Sequence, residues 1–125
     1  MPTTALLIID VQRALCSGPE AAFAIDGVLD RINGLGREAR AAGAPVVVIQ
    51  HEDEEALRFD TPGWQLADGL VIASEDLRIH KRTPNSFHNT PLHALLQDRQ
   101  VDRLVICGLQ TDFCVDTTVR QALPL

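Results

Sequence analysis

A thiol, a carboxylate and an ammonium group stand at three separated points of this chain: Cys114, Asp10 and Lys81. A cysteine becomes nucleophilic as its thiolate, which is favoured where a helix begins, at the positive end of its dipole, and further by a nearby lysine. Cys114 follows Gly108-Leu109-Gln110-Thr111-Asp112-Phe113, and a helix is expected to start near Asp112. Free backbone N–H groups in that turn would face the oxygen of a tetrahedral intermediate and serve as an oxyanion hole. A carboxylate brought close in space, such as Asp10, could take the thiol proton and return it to a leaving amine. That chemistry is acyl transfer through sulfur, and it does not require a histidine.

Four short apolar segments are the elements that would position these groups. Thr4 to Ile9 runs unbroken into Asp10, and Pro45 to Ile49 is β-branched and closes on Gln50 and His51. Runs of this kind read as central parallel strands, buried on both faces. Leu77 to His80, ending at Lys81, and Leu104 to Cys107, closed by Gly108, are shorter strands of the same kind. Between the first two strands, Val28, Ile32, Leu35, Ala39 and Ala42 recur at helical spacing, with Asp26 as N-cap and Gly43 as stop. Thr90 caps a second helix with Pro91 at its first position and Leu92, Leu95 and Leu96 as its stripe. The order strand, helix, strand, strand, helix, strand, helix predicts an α/β fold: a three-layer, Rossmann-like parallel sheet with helices on both faces. In such sheets ligand sites form beyond the carboxyl ends of the strands. Asp10, Gln50, His51, Lys81 and the segment leading to Cys114 all fall there.

Composition narrows the function classes. With 125 residues, 46% hydrophobic, and a formal charge of −6, the chain supports one core, read as a single domain over residues 1–125. The acidic balance, without a basic run, predicts neither a nucleic-acid nor an anionic-membrane partner. No stretch approaches the ~20 apolar residues that cross a bilayer, and the start lacks a signal-peptide pattern, so a cytoplasmic protein is expected. Three cysteines without a C-x-x-C pair imply no disulfide framework and no zinc site. A cysteine is more often a small buried hydrophobe than a nucleophile; Cys107, inside an apolar strand, keeps that reading, and Cys16 is read as packing or surface. Glu52 to Asp76 is a long irregular link carrying the acidic run Glu52-Asp53-Glu54-Glu55, read as a solvated loop, and the turn Thr61-Pro62-Gly63 before Trp64.

Three motifs, Leu6-Leu7-Ile8-Ile9-Asp10-Val11-Gln12, Lys81-Arg82-Thr83-Pro84-Asn85-Ser86-Phe87 and Gly108-Leu109-Gln110-Thr111-Asp112-Phe113-Cys114-Val115, resemble in order and spacing the isochorismatase-like cysteine hydrolases. That superfamily includes nicotinamidases, N-carbamoylsarcosine amidohydrolases and isochorismatases, and the resemblance spans nearly the whole chain. It implies an Asp-Lys-Cys triad at Asp10, Lys81 and Cys114. It implies as well a non-proline cis peptide at Leu109-Gln110 and oxyanion donation from the backbone N–H groups of Gln110 and Cys114. Gln12, His51, Trp64, Phe87 and Phe113 are candidate pocket residues. The implied activity is cofactor-free hydrolysis of a C–N bond in a small amide or carbamoyl substrate through a thioester, by a homo-oligomer. The alternatives are vinyl-ether hydrolysis of the isochorismatase type, or a truncated, catalytically inactive oligomeric protein.

Two departures from the family pattern qualify those implications. Nicotinamidases resemble one another in an Asp-x-His metal pattern after the second strand, plus a second histidine. This chain has Gln50-His51-Glu52 and no further histidine before His80, so it resembles the metal-free members and no metal is expected. The relatives also continue past the nucleophile's helix into a further strand and helix, whereas this sequence ends at Leu125, and a C-terminally incomplete domain is therefore expected.

Overall fold

The computed structural model describes residues 4–13, 25–55, 57–82, 91–101 and 103–108. Within them lie strand β1 (Thr4–Ile9), helix α1 (Ile25–Ala41), β2 (Val46–His51), β3 (Leu77–Lys81), α2 (Leu92–Asp98) and β4 (Arg103–Gly108). Among the described residues these strands pair in parallel, in the order β3-β2-β1-β4, and one isolated antiparallel bridge joins Gln12 to Leu66. The α/β expectation holds. β1 and β2 are buried nearly throughout, as central strands must be, whereas β3 alternates and β4 is half-exposed.

Alternate residues of the central strands feed two cores. Ala5, Leu7, Ile9, Val47 and Ile49 pack with Leu92 and Leu96 of α2 on one face. Leu6, Ile8, Val46 and Val48 pack with Leu29 and Ile32 of α1 on the other. The sheet is thus the middle of three layers, and each such side chain contributes about 1.5–3 kcal/mol on full burial.

The helix boundaries depart from expectation in detail. α1 is already under way at Ile25, so Asp26 lies inside the helix and is not its N-cap. Its buried stripe is Leu29, Ile32 and Gly36, flanked by Val28 and Ala39; Leu35 is 37% exposed and Ala42 is exposed. The spacing predicted the helix but set its inner face about one residue off, since two overlapping stripes share Ile32. Gly43 does stop it: with φ 76° it lets its own N–H reach Arg40 O (3.1 Å) and that of Ala44 reach Ala39 O (2.8 Å), a Schellman closure. At α2, Pro91 occupies the N-cap position without a side-chain cap, and Thr90 lies outside the described residues.

The described residues of the link from β2 to β3 form no helix, yet they do the covering work of a crossover. Ala67 is buried against the α1 face, with Leu66 and Leu70 packed beside it. Asn33 of α1 fastens it by donating to Gly69 O and accepting from Val71 N–H, both at 2.8 Å. It is a packed layer, held down before β3 by Arg40 and Asp76.

β4 enters the site through a glycine that cannot be anything else. Gly108 pairs with Ile9 and has φ 152°, and a Cβ there would lie 2.0 Å from Ile9 O. Only hydrogen allows the two backbones so close where β1 gives way to Asp10. No helix among the described residues is long and apolar enough to cross a membrane.

Candidate active site

Three neighbouring strands deliver one ionisable side chain each to the carboxyl edge. Asp10 follows β1, His51 ends β2 and Lys81 ends β3, directly paired with His51. Lys81 Nζ lies 3.4 Å from both carboxylate oxygens of Asp10 and 3.3 Å from His51 Nδ1. β1 and β3 are separated by β2, about two strand spacings of ~4.8 Å, so only a long side chain on β3 reaches Asp10. Lysine supplies that reach. Asp10 is 2% and Lys81 1% exposed, so the pair attracts through a medium far less screening than water.

The backbone at Asp10 is unusual as well. Its φ of 63° is a left-handed conformation that aspartate tolerates better than most residues. The turn is fixed by Asp10 N–H donating to Ile49 O and Gln12 N–H to Asp10 O, each at 2.9 Å. Oδ1 of this buried carboxylate faces the Lys81 ammonium but accepts no hydrogen bond from the described residues. A buried carboxylate with spare acceptor capacity is the kind of group that proton-transfer chemistry uses.

Gln12, Gln50 and Trp64 form the frame behind these groups. Gln12 is fully buried; its Oε1 accepts from His51 N–H (2.9 Å), while its Nε2 donates to His51 O (2.9 Å) and Trp64 O (2.8 Å). Gln50 Nε2 also donates to Trp64 O, at 3.1 Å, and Arg78 donates to Gln50 Oε1. The Gln12 carboxamide is therefore committed to backbone, and it acts on the edge by fixing His51 and the turn at Trp64. Trp64 is 6% exposed and packs edge-on against Phe59 and His80, with ring centroids 4.8 and 5.1 Å away.

The acidic run divides in a way its composition hides. Glu54 and Glu55 are exposed as a solvated loop should be, and Asp53 caps the turn by accepting from Glu55 and Leu57 N–H. Glu52, however, is only 8% exposed and meets His80 Nδ1 at 3.2 Å and Arg82 Nη2 at 3.3 Å. The β2–β3 ladder causes this: with His51 opposite Lys81, the next residue falls beside their flanks, and Glu52 N–H donates to Lys81 O. The parallel register, invisible in a local run of acids, was the missing signal. Beside it opens a cavity of about 440 Å³ lined by Glu52, Asp53, Glu54, Arg58, Phe59 and Arg82.

Burial, then the Lys81 charge, lowers the His51 pKa below the ordinary imidazole value, against the opposing pull of Asp10, Asp53 and Glu52. Burial also pushes the Cys107 thiol up to about 11, and Cys107 Sγ contacts Leu7 O at 3.6 Å on the α1 face. That agrees with a packing role for Cys107.

Of the residues picked out by sequence, Lys81 meets both Asp10 and His51, with Gln12 and Trp64 directly behind them. Cys16, Phe87, Gln110, Phe113 and Cys114 lie outside the described residues, as do the Leu109-Gln110 peptide and the helix expected near Asp112. The described chain reaches Gly108, which pairs with Ile9, the residue before Asp10.

A parallel three-layer sheet with a buried acid–lysine pair on its carboxyl edge defines a doubly wound α/β protein with an edge site. Residues 4–125 match the isochorismatase domain, and the chain belongs to that family. It is 40% identical over 124 residues to a streptothricin hydrolase of Streptomyces noursei, covering 98% of this chain and 49% of that protein. With the ureidoacrylate amidohydrolase of Caulobacter vibrioides it shares 29% identity over 161 residues, 98% of this chain and 68% of the relative. The solved cysteine hydrolase of Pseudomonas syringae pv. phaseolicola superposes with TM-score 0.86 at 27% identity, over 97% of this chain and 66% of that one. The chain spans about half the length of the streptothricin hydrolases it matches, 49% and 45%.

Proposed function

We propose that this chain carries the site of a cysteine-dependent hydrolase acting on a C–N bond of a small amide or carbamoyl compound. The observation that carries the reading is the buried Asp10–Lys81 pair at the carboxyl edge, with Asp10 Oδ1 free of hydrogen bonds from the described residues. The names of the amidohydrolase and cysteine hydrolase relatives point the same way.

In this reading Asp10 accepts the Cys114 thiol proton, and the sulfur adds to the substrate carbonyl carbon. The backbone N–H groups of Gln110 and Cys114 receive the oxyanion. As the tetrahedral intermediate collapses, the C–N bond breaks and Asp10 returns the proton to the departing nitrogen, leaving a thioester on Cys114. Water then adds to the thioester with Asp10 as base, and the acid and the thiol are released. Lys81 holds the Asp10 carboxylate in place and favours the thiolate by its charge.

The test is a screen of small amides and carbamoyl compounds for ammonia or amine release by the intact protein. With a substrate in hand, Cys114→Ala should abolish turnover, and mass spectrometry of the quenched wild-type protein should show an acyl adduct on Cys114. Unchanged turnover in Cys114→Ala would refute the reading.

A further inference from the structure

The edge holds a third polar group that this chemistry leaves without a task. His51 stands on β2, between the strands that present Asp10 and Lys81, with Nδ1 3.3 Å from Lys81 Nζ. Its position is heavily determined: the ladder pairs it with Lys81, and the Gln12 carboxamide grips both its N–H and its C=O at 2.9 Å. So rigid a backbone leaves the ring little freedom.

We propose that His51 is a positioning residue that accepts a hydrogen bond from the Lys81 ammonium at Nδ1, as the neutral Nε2–H tautomer, and so steadies Lys81 against Asp10. Its catalytic consequence rests on the cysteine-hydrolase reading above. An ammonium group has donors and no acceptor, so the ring nitrogen facing it must carry its lone pair. The proton of a neutral imidazole then sits on Nε2. Protonating Nδ1 would turn an accepted hydrogen bond into two cations 3.3 Å apart and drive Lys81 from its place.

The charges that face His51 divide in two. Burial and Lys81 on β3 favour the neutral ring; Asp10 at the end of β1 and Glu52 and Asp53 in the following link favour protonation, and the first pair prevails. A neutral His51 adds no second cation beside the Lys81 ammonium. Acidification past the His51 pKa, below the ordinary imidazole range, should release Lys81 and add an acid limb to the rate profile.

Two arms test this on the intact protein, one with catalysis and one without. In the first, His51→Leu removes the acceptor and should lower kcat about 100-fold with KM little changed. His51→Asn, whose Oδ1 falls where Nδ1 was, should recover most of that loss and abolish the acid limb due to His51. A rise in KM at unchanged kcat would make His51 a substrate contact and overturn the proposal, as would equal defects in the two variants. In the second arm, nitrogen NMR of the imidazole should show Nδ1 unprotonated at neutral pH, and Lys81→Met should raise the pH at which His51 titrates. An Nδ1–H tautomer, or a titration indifferent to Lys81→Met, overturns the proposal whether or not any substrate is turned over. The hydrolase reading has its own failure, in Cys114→Ala, so the two are separable.

Discussion

The two ends of the sheet each bury an ion pair. At the amino end, Arg40 from the last turn of α1 meets Asp76 immediately before β3, where the carboxylate is 1% exposed. Arg40 Nε donates to Asp76 Oδ1 at 3.0 Å, Nη2 donates to Oδ2, and Oδ2 also accepts from Ala73 N–H at 2.9 Å. Every part of that carboxylate is engaged, in the fork geometry that suits guanidinium. At the carboxyl end, Asp10 meets a lysine at 3.4 Å, has one oxygen that accepts no hydrogen bond from the described residues and sits on a left-handed backbone. Burial is common to both, and the hydrogen bonding is not. The satisfied pair fastens the β2–β3 link to α1, while the loosely satisfied one stands where the proposed mechanism needs a base.

Matched substitutions should separate the two. The largest effect is expected from Asp10→Asn: turnover should fall by about 10²–10⁴-fold, because the amide cannot act as a base. Asparagine tolerates the same left-handed backbone, so urea unfolding should show a smaller stability loss than the matching change at the other end. If Asp10→Asn leaves turnover intact, the functional contrast between the ends disappears. Next comes Asp76→Asn, which breaks a nearly dry bidentate pair and should lower stability by about 3 kcal/mol, with turnover of the folded fraction retained. A midpoint equal to wild type would mean that the Arg40 pair is ornamental.

The smallest effect concerns the cysteines. With its pKa pushed up to about 11, native Cys107 should alkylate slowly at pH 8, whereas an activated Cys114 should react quickly. Peptide mapping after brief treatment reads both at once, and equal labelling would erase the distinction between packing thiol and nucleophile. The sign of the accompanying stability change follows from the raised value. The protonated thiol favours the fold at neutral pH, and that contribution declines as pH rises from about 8.5, the free thiol value, to about 11, since the unfolded chain loses its proton first.

Much of the frame was legible from residue order. Thr4–Ile9 matches its strand residue for residue, and the other three strands fall within one or two residues of their runs; for β1 and β2 the reason is that central parallel strands, buried on both faces, are near-continuously apolar. The same reasoning put Asp10, His51 and Lys81 on one edge. It erred where two patterns overlap, as at Leu35, and where local composition gives no view of the neighbouring strand, as at Glu52.

By itself, then, the sequence determined the α/β class, the strand ends and the charged residues placed there, since these follow from hydrophobic runs and from what closes them. Tertiary structure alone decided which groups touch: that Lys81 reaches across β2 to Asp10, that Gln12 is spent on backbone, and that Glu52 is buried under His80 and Arg82. The physical reason is that strand register and side-chain reach are properties of paired strands, and neither exists until residues distant in sequence lie side by side.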